Sequence, residues 1–265
     1  SLETSFSGTR VSASLPIGVI THSACSNYKV CAACDMLMGE MLPTNLWGTR
    51  YITAQAQART GTGDDVEVGT GAGGANYTFN GTSFTLLPYA TRVHTTGANA
   101  NALIISNTPI LVTQYSHGVA CDNAPNTDPD QIVVYPETMW ISDYTFSGST
   151  LATTVSAGLT LVVNNAAGAI NSFMLDGVAV ANTGWLSIGT STYKYKRMPV
   201  TVGQHRIINT AGIAFSFYQF AVGDAESYIV QGGASYTNCL TCTAQFNYPG
   251  TPYCNTPGTV SPTIL

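Results

Sequence analysis

The segment NYTFNGTSFTLL (Asn76–Leu87) is the strongest indication of fold in the sequence. Its Asn80-Gly81 pair stands between two runs of strand-forming residues. This dipeptide suits a type I′ turn, in which both central residues adopt positive φ. The segment therefore predicts a β-hairpin, and FMLDGVAV, which contains Asp176-Gly177, predicts a second one.

The rest of the chain has the same strand character. Short β-branched or aromatic runs are separated by Gly, Asn, Pro and Ser at spacings on the order of ten residues, which favours a sandwich or barrel. YKYKR (193–197) alternates Tyr with Lys, as a strand with two unlike faces does. DMLMGEML (35–42) is the one candidate helix, and GTGDDVEVGTGAGG (61–74) predicts a loop or hairpin connection.

A polar stretch, ACDNAPNTDPDQ (120–131), lacks strand formers and indicates a boundary. We predict an all-β fold of two β-sandwich-like units, residues 1–125 and 126–232, followed by a disulfide-stapled irregular tail at 233–265. The predicted core positions are Val19, Trp47, Ile52, Leu103, Ile105, Val112, Val133, Leu161, Val163, Trp185, Phe215 and Phe217.

The composition points to an extracellular β-protein. Only 9% of the 265 residues are charged, against roughly 25% in a typical soluble domain. The net charge is −5 and no basic stripe is present, which argues against nucleic-acid binding. No apolar run approaches the roughly 18 residues of a membrane-spanning helix. Because the sequence begins at Ser1 rather than Met, we expect a mature or excised piece of a longer chain.

Seven cysteines include two C-x-x-C pairs, Cys31/Cys34 and Cys239/Cys242. Zinc could use four such thiolates, but the two pairs are too far apart for a zinc ribbon, and a redox C-x-x-C would be expected in a βαβ context. The low charge favours disulfides, with zinc and redox chemistry as alternatives. Within the tail we predict a staple among Cys239, Cys242 and Cys254.

Other chemical motifs are weak. The four histidines form no metal-binding spacing, and no G-x-S-x-G elbow is present. Two acidic groups are candidates for calcium, with a solvated loop as the simpler interpretation. We predict no catalytic residue, no cofactor and no bound metal. The two acidic groups are Asp64, Asp65 and Glu67, and Asp122, Asp128 and Asp130.

Two glycosylation sequons lie on the first hairpin, Asn76-Tyr-Thr78 and Asn80-Gly-Thr82. Both asparagines would be exposed there and sterically open to a glycan. We therefore predict Asn76 and Asn80 as glycan acceptors if the chain is secreted through a eukaryotic pathway.

Ordered motifs along the chain carry a family resemblance. His22, Cys25, Cys34-Asp35, a Glu-Met-Leu-Pro segment at 40–43 and Trp47-Gly48 resemble the N-terminal domain of the IgG Fc-binding protein family. The resemblance extends over roughly residues 8–233 through PILVTQYSHG, DPDQIVVYPETMWISDYTFS, LDGVAV, GWLSIGTSTYKYKRMPVTVGQHRI and FYQFAVGDAESYIVQGG. The chain departs from the family in having an extra cysteine, Cys31.

The resemblance implies an extracellular, β-rich module associated with mucin-like or adhesive proteins. It does not imply that this member binds antibody. It pairs Cys25 with Cys34, which leaves Cys31 for Cys121 or another partner.

We therefore expect a secreted, non-catalytic adhesive or matrix module at the cell surface, which recognises a glycan or protein ligand through loops. An alternative is a structural subunit of an extracellular filament or appendage, formed by self-association as a homo-oligomer. A second alternative is a hydrolase with a cryptic site.

Overall fold

The computed structural model describes residues 7–57, 61–122, 127–148, 154, 156–223 and 226–235. Its regular elements are almost all antiparallel strands, which confirms the predicted all-β fold. No helix in this part of the chain has the length and apolarity that crossing a bilayer requires. The elements before residue 135 are β1 (Ile20–Ser26), β2 (Asp35–Glu40), β3 (Gly48–Thr53), β4 (Asp65–Thr70), β5 (Ala75–Phe79), β6 (Thr82–Leu86), β7 (Thr91–Thr95), β8 (Ala102–Tyr115), α1 (Val119–Asp122) and β9 (Gln131–Val133).

The elements after residue 135 form two further sheets. Short 3-10 turns occur in both halves of the chain, at Tyr28–Val30, Thr44–Leu46, Glu137–Met139 and Ala169–Asn171. The strands are β10 (Asp143–Gly148), β11 (Ser156–Asn164), β12 (Phe173–Leu175), β13 (Val178–Ala179), β14 (Leu186–Ser187), β15 (Tyr193–Pro199), β16 (Gly203–Asn209), β17 (Phe215–Gly223) and β18 (Glu226–Gln231).

Both predicted hairpins are confirmed. Asn80 and Gly81 have φ of 49° and 83° between β5 and β6. Asp176 and Gly177 have φ of 52° and 80° between β12 and β13. These are the paired positive φ values that a type I′ turn requires.

Two local predictions are wrong. The predicted helix at 35–42 is strand β2, where buried Leu37 alternates with exposed Met36 and Met38, so the side-chain period is two. The predicted loop at 61–74 contains strand β4, whose Val66 and Val68 are fully buried in the core.

The first sheet folds over its own core. Long strand β8 pairs with β5 along its first part and with β4 along its second part. The sheet order β6-β5-β8-β4-β7 separates β5 from β7, yet the rings of Phe79 and His94 stack at 4.2 Å. The sheet must therefore bend until its two ends approach. It encloses a cluster that includes Tyr51, Val68 and Ile104.

The later strands form a sandwich. One sheet has the order β10-β16-β12-β13 and the other β14-β15-β11-β17-β18. Leu161, Phe173 and Phe215 belong to the core cluster that these strands contribute to.

A third core cluster joins the two halves of the chain. Ile52, Ala54 and Ala56 of the first half pack with Val162 and Tyr218 of the second. Strands β11 and β17 are therefore covered on both faces, and every residue of β17 is buried. The division at residue 125 stays a prediction, with this apolar contact spanning it.

Most of the predicted core is buried or half-buried. Ile52, Val112, Leu161, Val163, Phe215 and Phe217 are fully buried. Val19, Trp47, Leu103, Val133 and Trp185 are half-buried. The prediction of Ile105 as a core residue is wrong, because Ile105 is 37% exposed while its neighbour Ile104 points into the core.

The second hairpin turn carries an ion pair between His205, whose side chain is 10% exposed, and Asp176, whose side chain is 44% exposed. His205 Nδ1 lies 2.7 Å from Asp176 Oδ2, and His205 Nε2 lies 2.9 Å from the carbonyl oxygen of Thr201. The contact with Asp176 raises the pKa of His205, while burial opposes it. Hydrogen bonds from His205 and from the Arg206 N–H lower the pKa of Asp176.

We expect Phe215→Ala to lower the free energy of unfolding by about 3–5 kcal/mol, because it removes a fully buried ring. Phe215 contacts Tyr144 and Phe173 at centroid distances of 5.0 and 4.8 Å. Urea unfolding measures the change. Ile105→Ala is the matched control, with an expected loss below about 1 kcal/mol. Equal losses at both positions would contradict the assigned core.

We expect the Asp176–His205 pair to stabilise the protein most near pH 5.5. The raised pKa of His205 gives stability that is present below about 6.5 and is lost as the pH rises through the folded value. The lowered pKa of Asp176 gives stability that is present above about 3.9 and is lost as the pH falls through the folded value.

The test compares the Tm of the wild type with that of Asp176→Asn, since Asn also tolerates the left-handed turn position. The difference should be larger at pH 5.5 than at pH 8. A difference that is constant, or larger at pH 8, contradicts this assignment.

Candidate binding site

Two disulfides hold the loop between β1 and β2. Cys25 is bonded to Cys34 across its base, with 5.1 Å between Cα atoms. Cys31, near its tip, is bonded to Cys121 in α1, also with 5.1 Å between Cα atoms. We call residues 27–33 the pinned loop.

The two disulfides constrain the unfolded chain to different degrees. The chain-entropy relation gives about 2.7 kcal/mol for the short Cys25–Cys34 loop and about 4.6 kcal/mol for the long Cys31–Cys121 loop. Their sequence separations are 9 and 90 residues. The second bond is therefore the stronger constraint, and it joins the pinned loop to the segment after β8.

The backbone of the pinned loop is strained. Lys29, Val30, Ala32 and Ala33 have φ between 50° and 63°. This left-handed region costs a non-glycine residue roughly 1–2 kcal/mol, and it is rare for a β-branched residue such as Val. Such strain persists only where surrounding structure enforces it, and it clusters at functional sites.

Hydrogen bonds and close packing enforce this conformation. The N–H groups of Val30 and Cys31 donate to the carbonyls of Asn27 and Tyr28 at 3.0 and 3.3 Å. The Ala120 N–H donates to the Cys31 carbonyl at 3.0 Å. A Cβ at Gly118 would collide with the Ala32 carbonyl oxygen, so glycine allows the loop to lie directly on this segment.

A buried carboxylate anchors the loop from below. The Asp65 side chain is fully buried, and Lys29 Nζ lies 2.6 Å from its Oδ2. Tyr28 donates to Oδ2 at 2.9 Å, and Thr95 donates to Oδ1 at 2.6 Å. His117 Nε2 lies 3.4 Å from Oδ2. A single carboxylate of β4 thus contacts the loop, β7 and the segment that follows β8.

These contacts control the ionisation of the cluster. Burial alone would raise the pKa of Asp65, but the contacts from His117, Lys29, Thr95 and Tyr28 outweigh it and hold the pKa below its ordinary value. Asp65 therefore stays ionised. Burial, and then the negative charge of Asp65, raises the pKa of Tyr28. Tyr28 therefore stays a hydrogen-bond donor.

Aromatic rings complete the base of the loop. The Tyr28 ring stacks on Tyr115 at 5.0 Å and on His117 at 5.7 Å between centroids. Above this base the loop presents Val30, which is 86% exposed, and Lys29, whose side chain is 43% exposed. A single exposed apolar residue is ordinary. Here it stands on a locked and strained backbone, as a preorganised recognition loop requires.

A hydroxyl, an imidazole and a carboxylate lie next to one another in this region. Thr62 Oγ1 lies 2.9 Å from His117 Nδ1, and His117 Nε2 faces Asp65. A catalytic carboxylate must stabilise an imidazolium. The ionised Asp65 also forms an ion pair with Lys29 at 2.6 Å, so its negative charge is shared between the ammonium group and the imidazole.

The described residues do not bring together the ligands that a metal site would need, or the thiol pair that a redox site would need. Cys31 and Cys34 are bonded to different partners, so the first C-x-x-C is not a dithiol pair. Asp64 and Asp65 diverge, because Asp64 accepts from Gln55 at 3.4 Å and from Gln114 at 2.5 Å. The described part of the chain contains no group of three or more His, Cys, Asp or Glu that could hold a metal ion. Cys239, Cys242 and Cys254 lie outside it.

The sequon asparagines lie on the outer side of the first hairpin. Asn76 is exposed, and its Oδ1 accepts from Thr85 at 2.7 Å. Asn80 is also exposed, and its Nδ2 donates to the Asn101 carbonyl at 3.1 Å. Glycosylation at either position stays a prediction.

A second aromatic group, which the sequence did not indicate, lies where the first sheet closes. His94 contacts Phe79 at 4.2 Å and Phe84 at 4.7 Å, and the Arg92 guanidinium lies 4.5 Å above the Phe84 ring. Tyr77 hydroxyl and His94 Nε2 are 2.7 Å apart. Burial, followed by the nearby Arg92, lowers the pKa of His94.

Comparison with known proteins identifies one family. Residues 2–219 match the family described as IgGFc binding protein. The chain has no significant match among curated proteins or among solved structures.

We expect Asp65→Asn to lower the free energy of unfolding by about 1–3 kcal/mol, because buried donors lose a charged acceptor. The lowered pKa of Asp65 gives stability that is present above about 3.9 and is lost as the pH falls through the folded value. The wild type should therefore lose stability in acid more steeply than the variant. Urea unfolding at pH 7 and pH 3 measures both effects.

Glu67→Gln is the matched control. Glu67 is on the same strand, and its Oε2 accepts from Tyr115 at 3.3 Å. We expect a loss below about 1 kcal/mol. Equal losses for the two variants, or identical acid profiles for the wild type and Asp65→Asn, would refute the anchoring role of Asp65.

Proposed function

The chain belongs to the IgG Fc-binding protein family, and from that premise we propose that it is a secreted, non-catalytic binding module that recognises its ligand through the pinned loop. The observation that carries the proposal is the strained backbone of Lys29 and Val30, held between two disulfides and a buried carboxylate. A loop ordered in advance loses little conformational entropy when it binds.

The cysteine bonds support an extracellular location. Four cysteines in the described residues form disulfides, which persist in oxidising compartments and are rare in the cytosol. The low charged fraction agrees with an extracellular surface. An adhesive role at a cell surface or in a matrix is the form of this proposal that we favour.

The exposed chemistry of the loop favours a protein ligand over a glycan. Val30 offers an apolar contact with no hydrogen-bonding group, and the family description names a protein, the Fc part of IgG. A glycan would suit the half-buried rings of Phe79, Phe84 and His94 better, because sugar faces stack on aromatic rings. The Fc fragment is thus one probe among several, because the family description does not establish that this chain binds it.

Self-association into a filament is the second candidate. A groove of about 290 Å³ lies beside the short edge strand β13, with Leu175, Val180 and Met198 in its lining. Val178 of β13 is 70% exposed, and Leu186 of the edge strand β14 is 52% exposed. Exposed apolar edges are ready to pair with another chain. Sedimentation and electron microscopy of the purified chain test this candidate by detecting polymers.

The decisive experiment uses Val30→Glu, which places a charge on the loop tip without touching its anchors. Purified extracellular proteins, including IgG Fc, and a panel of defined glycans are tested for saturable binding to the immobilised chain. We expect at least one ligand to bind, and Val30→Glu to weaken it about tenfold or more.

Val202→Glu is the matched control, because Val202 is 64% exposed on the turn between β15 and β16. Its binding should stay within about twofold of wild type. An equal loss of affinity for both variants, or saturable binding that Val30→Glu does not weaken, contradicts the loop assignment. Labelling of Thr62 by a hydroxyl-directed activity probe would contradict the non-catalytic role.

A further inference from the structure

The outer edge of strand β2 borders an open groove. The groove has a volume of about 400 Å³ and is lined by β2, β9 and β18. Met36 and Met38 of β2 are each 51% exposed, and Val230 of β18 is 49% exposed. An apolar, adaptable surface of this kind suits a polypeptide partner.

Among the residues that the structure describes, β2 pairs on one side only, with β1, which leaves its other edge available for a further strand. Met41 N–H donates to the Val19 carbonyl at 2.8 Å, and the register pairs Thr21 with Gly39 and His22 with Met38. In an antiparallel ladder, hydrogen-bonded pairs alternate with non-hydrogen-bonded pairs. The N–H and C=O groups of a hydrogen-bonded pair point towards the partner strand, and those of the next pair point away from it. The backbone N–H and C=O groups of Met41 and Gly39 point towards β1. Those of Met38, one residue away, therefore point outward into the groove.

The neighbouring element does not cover this edge with a ladder of its own. The space beside Gly39 is filled by side chains of β9, with Gln131 Nε2 and Val133 Cγ2 each 3.1 Å from where a Cβ would lie. In the sheets, β2 pairs with β1, and β9 pairs with β8. The contact between β2 and β9 is thus through side chains, and the outward groups of Met38 remain a template for strand addition.

The charge of the groove specifies the partner. Asp35, Glu40 and Asp130 line it, and none of its described lining residues is Lys, Arg or His. The local field is negative: burial, followed by the charges of Asp35 and Glu226, raises the pKa of nearby Asp128. Along β2, Asp35 lies on the opposite side from Met36 and Met38. A strand added at this edge would meet Met36, Met38 and Glu40 with one set of alternate side chains and Asp35 with the other.

We infer that the outer edge of β2 binds an extended segment of a partner protein in which apolar and cationic residues alternate. The segment adds as a strand beside Met36, Met38 and Glu40, and its cationic side chains meet the carboxylates of the groove. This inference rests on the proposed role as a protein-binding module, and it adds a second contact surface to the pinned loop.

The test uses a fluorescent seven-residue peptide of alternating Val and Lys, measured by polarisation at physiological salt. The protein variant is Met38→Pro, which removes an outward N–H and which an edge position tolerates. The matched control is His22→Pro, on the opposite outer edge of the same hairpin. We expect Met38→Pro to weaken binding about tenfold or more, and His22→Pro to change it by less than about twofold.

Two further comparisons keep the test decisive if Met38→Pro does not fold. A Val/Lys peptide with N-methylated alternate amides has the same charge but cannot form the ladder, and it should bind the wild type about tenfold more weakly. Asp35→Asn should weaken the unmodified peptide about threefold or more at low salt, with a smaller effect at high salt.

Equal binding of the two peptides, equal effects of the two proline variants, or no saturable binding would overturn the inference. Val30→Glu should leave peptide binding unchanged. Failure of the peptide while Val30→Glu still weakens a protein ligand therefore removes the groove and leaves the proposed function standing. If Val30→Glu leaves protein binding unchanged while the peptide still binds, the loop assignment fails and the groove stands.

Discussion

The Cys31–Cys121 disulfide is the constraint on which the candidate site depends. It joins the loop after β1 to the helix that follows β8, across 90 residues of sequence. With that bond in place, Lys29 reaches the buried carboxylate of Asp65 at 2.6 Å, and Tyr28 stacks on Tyr115. Without it, a backbone with several left-handed non-glycine residues would relax, because the hydrogen bonds and the Asp65 contacts would have to balance its conformational energy without the long-range covalent link.

The body of the protein is held together by a different interaction. Strands β11 and β17 are covered on both faces, by the sandwich core on one side and by the first half of the chain on the other. Polar contacts cross the same boundary: Arg197 donates to the Gln55 carbonyl at 3.1 Å, and Tyr218 donates to the Ile52 carbonyl at 3.3 Å. The binding surfaces therefore stand on a shared core, and loop and edge variants can be examined without disturbing it.

How much the sequence predicts depends on the range of the interaction. The hairpins at Asn80-Gly81 and Asp176-Gly177 were predictable because a turn dipeptide determines its own backbone. Strand β2 was missed because Met36, Leu37 and Met38 are consecutive apolar residues with no visible alternation. Strand β4 was missed because the many glycines around it favour a loop, although Val66 and Val68 do alternate with acidic residues. The cluster around Asp65 was not predictable, since Tyr28, Thr95 and His117 reach it from distant segments. The family resemblance supplied the Cys25–Cys34 pairing, whereas Cys121 was one of several open partners for Cys31.

The most direct test of a locked loop is hydrogen exchange at the amides of Val30 and Cys31, which donate within the loop. The comparison is between the native protein and a double variant, Cys31→Ser with Cys121→Ser. We predict slow exchange in the native protein and exchange about a hundredfold faster in the variant, with the amides of β8 unchanged in both. Rapid exchange in the native protein, or equal rates at Val30 and Cys31 in the two proteins, would contradict it.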